Sequence, residues 1–178
     1  MRALVIGAAP CLWDDLRAVL PLGFDRCYAV NGAGVRWPLT DVWCTGHPEA
    51  MERWQRAVVA QGRPVPEVVA PRMHEGCRID RIEGLFWDGQ PREARRLSSA
   101  IYGVKVALAD GADRVVLCGV PLDASGHLDT SKAPGHDYAV YRRAFAWARD
   151  AVFAGRVRAA SGHLAELLGA PDRDWMEC

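Results

Sequence analysis

Lysine is nearly absent from this chain: of its 22 basic residues only Lys105 and Lys132 are lysines and the rest are arginines. That bias reads more readily as a GC-rich genome than as a binding device. Net charge is absent too, because 22 acidic side chains balance 22 basic ones. No nucleic-acid or membrane-surface partner is therefore announced, and any anion site must be local. Paired cysteines at the two-residue spacing of zinc or redox motifs are missing. Cys11, Cys27, Cys44, Cys77, Cys118 and Cys178 are scattered, several inside apolar runs, and read as reduced, packed thiols. No apolar stretch reaches the ~20 residues of a membrane span. The first residues run straight into a strand pattern with no h-region and cleavage site, so the expected location is the cytoplasm. No repeat, low-complexity tract or charged linker divides the chain, which predicts one domain over residues 1–178, large enough to bury roughly 70% of the surface its unfolded form exposes.

What is present is an alternation of short apolar runs and helical patterns. Leu4-Val5-Ile6 stops at Gly7-Ala8-Ala9-Pro10, and Leu12, Leu16, Val19 and Leu20 follow at helical spacing. Cys27-Tyr28-Ala29-Val30 stops at Asn31-Gly32, and Val42-Trp43-Cys44 stops at Thr45-Gly46-His47-Pro48. A helix is predicted from Glu49 to Ala60, with Pro48 at its start and Gly62 past its end. Residues 63–95 hold four prolines and many charges, with Val68-Val69 and Leu85-Phe86-Trp87 as weak strand candidates. They read as an irregular, lid-like insert. A helix from Ser98 to Asp110, capped by Gly111, precedes the strand Val115–Cys118, which ends at Gly119-Val120-Pro121. A polar loop over 121–137, a long helix marked by Tyr138, Tyr141, Phe145, Ala148 and Val152, a strand at Val157–Ala160, a short helix from Gly162 to Leu168 and a frayed tail from Pro171 complete the pattern. Strands that are apolar throughout, alternating with helices, predict an α/β fold: a Rossmann-like three-layer sandwich on a mostly parallel sheet. In such sheets ligands sit beyond the carboxyl ends of the strands.

That geometry selects the candidate residues. Gly7, Ala8 and Ala9 are small where a backbone would approach an anion or ribosyl group, or they form a plain tight turn. Asn31 and Gly32 end the second strand, where an amide suits a neutral sugar hydroxyl or base edge, or simply tolerates a left-handed turn. Neither a dinucleotide fingerprint nor a Walker loop is present. Arg96 beside Ser98 and Ser99 at a helix start offers both an N-cap and a pocket for phosphate or carboxylate. The loop after the Cys118 strand carries His127, His136, Asp123, Asp129 and Asp137, so an imidazole there has carboxylates to orient it as a general base. A metal site is the rival reading, without the fixed spacing of a known motif. His47 also sits past a strand end, His163 serves the short helix, and His74 lies in the uninformative middle.

In order and position these residues resemble the small bacterial sialyltransferases that use CMP-sialic acid, and the wider group that includes motility-accessory glycosyltransferases and archaeal 6-hydroxymethylpterin diphosphokinases. Gly7-Ala8-Ala9-Pro10-Cys11 is similar to the family's Gly-x-Gly-Pro-Ser turn, Asn31 to its Asn after strand two, and Arg96-Leu97-Ser98-Ser99-Ala100 to its Arg-x-Thr-Ser-Gly helix start. Gly119 falls in its Gly-hydrophobe-Asp step, with the acid displaced to Asp123. Gly135-His136 matches the Gly-His step of the general base, and Ser161 lies in the counterpart of a closing Asn-Ser-x-Leu motif. Ala8 and Ala160 stand where the family has Asn, and residues 63–95 have no counterpart of its acceptor lid.

The resemblance implies metal-independent transfer from a cytidine-type nucleotide sugar, a co-substrate rather than a resident cofactor, with His136 deprotonating the acceptor hydroxyl. The donor would be held by Gly7, Ala8, Ala9, Asn31, Gly32, Arg96, Ser98, Ser99, Gly119, Asp123 and Ser161. A pterin-type diphosphokinase would instead need ATP and Mg²⁺, with Asp123 and Asp129 as available ligands. A non-catalytic nucleotide-binding or interaction protein is the third reading, for which seven tryptophans leave room for an exposed aromatic patch. A homo-oligomer stays open.

Overall fold

β-branched and other apolar residues dominate the short runs, and in the computed structural model most of them become strands buried on both faces. The structure describes residues 1–95, 98–123 and 138–178. The strands are β1 (Arg2–Ile6), β2 (Arg26–Val30), β3 (Val42–Cys44), β4 (Glu67–Ala70), β5 (Arg81–Ile82), β6 (Arg114–Cys118) and β7 (Val157–Ala159). They form one sheet in the order β5-β4-β3-β2-β1-β6-β7, and neighbouring strands pair in parallel throughout. The α/β, Rossmann-like expectation is thus met.

Within each strand the side chains alternate between two cores, as the period of two requires. Ala3, Val5, Tyr28, Val30, Val115 and Leu117 face the core under α4 (Ser99–Ala109) and α5 (Ala139–Ala148). Leu4, Ile6, Cys27, Ala29, Val116 and Cys118 face the other, under α1 (Leu12–Val19). Trp43 and Val68 extend that second core beneath α3 (Met51–Ala60), beside the single turn α2 (Ala33–Arg36). The central helix α4 is buried continuously from Ala100 to Ala107. It lies close to the sheet because Gly103 has no side chain: a Cβ there would stand 2.7 Å from Val30 Cγ1 and 3.1 Å from Val5 Cγ1.

Three expectations are corrected. The insert is not irregular throughout, since Glu67–Ala70 extends the sheet beside β3 and Arg81–Ile82 adds its edge. Leu85–Trp87 forms no strand; Trp87 instead packs on Trp147 and Phe153, at ring-centroid distances of 6.0 and 6.2 Å. The tail is ordered as α7 (Arg173–Glu177), capped by Asp172 and anchored by buried Met176. The helix expected from Glu49 begins as a 3₁₀ turn at Pro48–Ala50, and the long helix after Tyr138 ends in a wider π turn at Arg149–Phe153. Between β7 and α7 lies α6 (Gly162–Leu168). Of the tryptophans, Trp43 is fully buried, whereas Trp13 is 41% exposed beside Trp37. Among the described residues no helix is long and apolar enough to cross a membrane.

Candidate functional site at the carboxyl edge of the sheet

From β1 the chain winds outward through β2, β3, β4 and β5, then returns to place β6 on the other side of β1. The winding therefore reverses between β1 and β6, which opens the crevice where open parallel sheets bind ligands. The two strand exits meet there. Gly7 N–H donates to Cys118 O at 2.8 Å and Ala9 N–H to Gly119 O at 3.1 Å. A Cβ at Gly7 would lie 2.5 Å from Gly119 O, and one at Gly119, where φ is +65°, 2.8 Å from Gly7 O. Glycine at both positions is required by the approach of one turn to the other.

Under this seam lies a residue the sequence reading passed over. Asp15 sits on the buried stripe of α1 with Leu12, Leu16 and Val19 and is only 5% exposed. Its Oδ2 accepts from Gly119 N–H at 2.8 Å and from Ser161 Oγ–H at 2.9 Å, and Cys11 Sγ stands 3.5 Å away. One carboxylate thus ties together the exits of β1, β6 and β7. The signal was available: a carboxylate at the i+3 position of an i, i+3, i+4, i+7 apolar stripe is a buried acid that needs donors. Burial pushes the Cys11 thiol up to about 11, with the Ser161 hydrogen bond opposing the shift and the nearby negative charges of Asp15 and Asp123 adding to it. An uncharged thiol follows.

The exit of β6 continues through a strained stretch. Leu122 is 6% exposed and holds φ at +52°, a left-handed conformation costing a β-carbon-bearing residue roughly 1–2 kcal/mol. Arg142 on α5 donates to its carbonyl twice, from Nε at 2.9 Å and from Nη2 at 2.6 Å. A Cβ at Gly162 would stand 2.5 Å from Pro121 Cβ, so the β7 exit packs on the same turn.

One strand over, Asn31 also takes a left-handed φ of +50°, the turn chemistry open to asparagine. Its Oδ1 accepts from buried Thr45 Oγ1 at 2.9 Å, and Thr45 Oγ1 in turn accepts from His47 N–H at 2.9 Å. Among the described residues no hydrogen bond engages its side-chain amide nitrogen. Beyond Thr45 opens a cleft of about 250 Å³ lined by Gly46, His47, Leu85, Phe86, Arg95, Ser98, Ser99, Tyr102 and Tyr141. Ser98 caps α4, its Oγ accepting from Ile101 N–H at a long 3.4 Å, and a Cβ at Gly46 would approach Ser99 Oγ to 3.6 Å. Tyr102 donates its hydroxyl to Glu83 O at 2.8 Å. The guanidinium of Arg95 lies 5.7 Å from the Phe86 ring centre, and its Nε donates to Gln90 O. No carboxylate among the described residues pairs with it. The cleft is therefore lined by aromatic and apolar side chains together with hydroxyls, an exposed imidazole and a cation.

Of the candidate residues, Gly7, Ala8, Ala9, Gly119, Asp123 and Ser161 lie at the β1/β6/β7 seam, and Asn31, Gly32, Ser98 and Ser99 at the β2/β3/α4 end of the same edge. Ser161 has its hydroxyl committed to Asp15. Arg96 and His136 lie outside the described residues, as do His127, Asp129 and Asp137. His163 faces Glu166 at 3.6 Å on α6, away from the cleft lining. Among the described residues no group of three His, Cys, Asp or Glu side chains is placed to hold a metal ion. Sequence reasoning missed Asp15, Phe86, Arg95 and Arg142; Phe86 meets Arg95, and Arg142 meets Leu122, only through tertiary packing.

No family model matches the chain, and no curated protein matches it. A solved structure does: the sialyltransferase CstII from Campylobacter jejuni, determined in complex with the substrate analogue CMP-3FNeuAc. It aligns with a TM-score of 0.66 at 15% sequence identity, covering 97% of this chain and 87% of that one. The fold is therefore that of a sialyltransferase-like α/β domain.

Proposed function

We propose that this chain binds a CMP-type nucleotide sugar along the carboxyl edge of its sheet and transfers the sugar to a hydroxyl acceptor, with His136 as general base. The observation that carries the reading is the cleft between the β3 exit and the amino end of α4. There Ser98, Ser99 and Arg95 line a single cleft beside the amino end of an 11-residue helix. Asn31, on the neighbouring strand, offers an amide to a neutral hydroxyl or base edge. The likeness to a protein solved with a CMP-sugar analogue supports the same class of ligand.

The division of labour follows from charge. Asp15 already occupies the Gly119 amide and the Ser161 hydroxyl, and its carboxylate repels anions, so the neutral part of the ligand belongs near the β1 exit. The phosphate belongs at α4, with Arg96 beside Arg95 in sequence. In the transfer step the acceptor oxygen gives its proton to the His136 imidazole and forms a bond to the anomeric carbon. The bond from that carbon to the phosphate oxygen breaks, and CMP leaves with the electron pair. No metal has a part in this step.

The test is a thermal-shift screen across nucleotides and nucleotide sugars, followed by turnover. CMP is expected to raise the melting temperature, and His136→Ala to abolish transfer while keeping that shift. If no nucleotide moves the melting temperature, the reading falls. Mg²⁺-dependent release of AMP from ATP would replace it with the diphosphokinase chemistry.

A further inference from the structure

The turn that leaves β6 is held from both faces of the sheet by residues to which the ligand reading gives no contact with the ligand. From the α1 side, buried Asp15 accepts the Gly119 amide at 2.8 Å. From the α5 side, Arg142 directs two donors at the Leu122 carbonyl, at 2.9 and 2.6 Å. Between them the backbone is left-handed twice, at Gly119 (φ +65°) and at Leu122 (φ +52°). Glycine takes that conformation freely, but leucine does not. Val120 and Leu122 are both buried, so the turn cannot relax without moving apolar side chains.

We propose that Asp15 and Arg142 are positioning residues that hold residues 119–123 in one strained conformation and thereby set ligand affinity at the carboxyl edge, an inference that rests on reading that edge as a nucleotide site. The physical case is that strain at a site persists only where its surroundings over-determine it. Two charged groups anchored on opposite layers, each bonded to this turn's main chain, supply that over-determination. Asp15 also reaches Ser161, so the β7 exit moves with the turn.

The experiment uses the full chain, with CMP as probe and calorimetric affinity as readout, alongside hydrogen exchange of the Gly119, Val120 and Leu122 amides in the unliganded protein. Arg142→Gln is expected to weaken CMP binding about tenfold, the scale of a modest misplacement of binding groups, and to speed exchange across the turn. Asp15→Asn, which keeps shape and loses charge, is expected to do the same to a smaller degree. Adding Leu122→Gly to Arg142→Gln separates positioning from plain stabilisation. Glycine accepts φ near +52° without strain, so binding recovers even though the melting temperature falls further with the loss of a buried leucine. Unchanged exchange in Arg142→Gln, or no recovery of affinity in the double variant, overturns the proposal. Should the wild-type protein bind no nucleotide, the ligand reading fails alone, and the exchange data still decide whether these two residues hold the turn.

Discussion

At the amino edge of the sheet Arg26, Glu67, Arg81 and Asp110 close a ring of ion pairs, whereas at the carboxyl edge several polar groups are only half used. In the ring Arg26 meets Glu67 at 2.8 Å and Asp110 at 3.3 Å, and Arg81 meets Glu67 at 3.0 Å and Asp110 at 2.6 Å. Tyr28 adds a hydroxyl donor to Asp110 at 2.9 Å. Helix α4 links the two edges, because it runs antiparallel to the strands: Asp110 caps its carboxyl end and Ser98 its amino end. Its carboxyl end is held in charged pairs, and its amino end borders the cleft. The ion-pair ring lies at one edge, and the left-handed turns, with a guanidinium that meets no carboxylate among the described residues, lie at the other, where the proposed ligand site is.

The largest expected effect is therefore at the amino edge. Asp110→Asn removes the common partner of two arginines that each keep about a third of their surface in water. A cost of about 2–3 kcal/mol follows, less than the roughly 3–5 kcal/mol of a fully buried broken pair because both arginines stay partly in water, and a drop in melting temperature of about 4–12 °C. CMP affinity should not change; if it falls with stability, the two edges are not separable. The same residue sets an acid limit. Burial pushes the Asp110 carboxyl up, but hydrogen bonds from Arg81 and Tyr28 and the charges of Arg81 and Arg26 outweigh it and hold the group below the usual carboxylate range. A depressed folded value gives stability that is present above the unfolded carboxylate value of about 4 and is lost as pH falls below it. Acid unfolding curves of wild type and Asp110→Asn should converge in that window.

Next in size is Gly7→Ala at the carboxyl edge. Its Cβ would meet Gly119 O at 2.5 Å and Val120 Cγ2 at 2.6 Å, and a main-chain oxygen cannot swing aside. The strand exits must part, at about 1–3 kcal/mol for overpacking a tight seam. Here, in contrast to Asp110→Asn, CMP binding is expected to fall along with the melting temperature. A variant that loses stability and keeps full affinity would place the ligand away from the β1/β6 seam.

The parts of the molecule legible in its sequence are those governed by local periodicity. β1, β2, β3 and β6 were each marked by a continuous apolar run, β7 by Val157-Arg158-Ala159-Ala160, and α4 by its Ser98 cap and its Gly111 stop, where φ is +87°. β5 was not legible, because two residues reading Arg-Ile carry no period, and Leu85–Trp87 misled because an apolar triplet can equally line a cleft or pack on Trp147. Candidate positions after strand ends could be found because parallel sheets put ligands there. Asp15 and Arg142 meet the turn through main-chain groups 104 and 20 residues away, at Gly119 and Leu122, which no spacing rule connects to them.

The smallest effect sharpens the carboxyl edge itself, through Cys11. With its thiol pushed up to about 11, first by burial and then by Asp15 and Asp123 against the opposing Ser161 bond, it holds on the order of 0.1% thiolate at pH 8. Iodoacetamide at that pH should alkylate exposed Cys178 well before Cys11, as read by peptide mass spectrometry. Asp15→Asn removes one of the negative charges beside the sulfur, so it should speed Cys11 labelling several-fold while leaving Cys178 unchanged. Equal rates at the two cysteines in the wild-type protein would mean that the β1 exit opens readily to solvent, and the contrast between a closed seam and an open cleft along this edge would not hold.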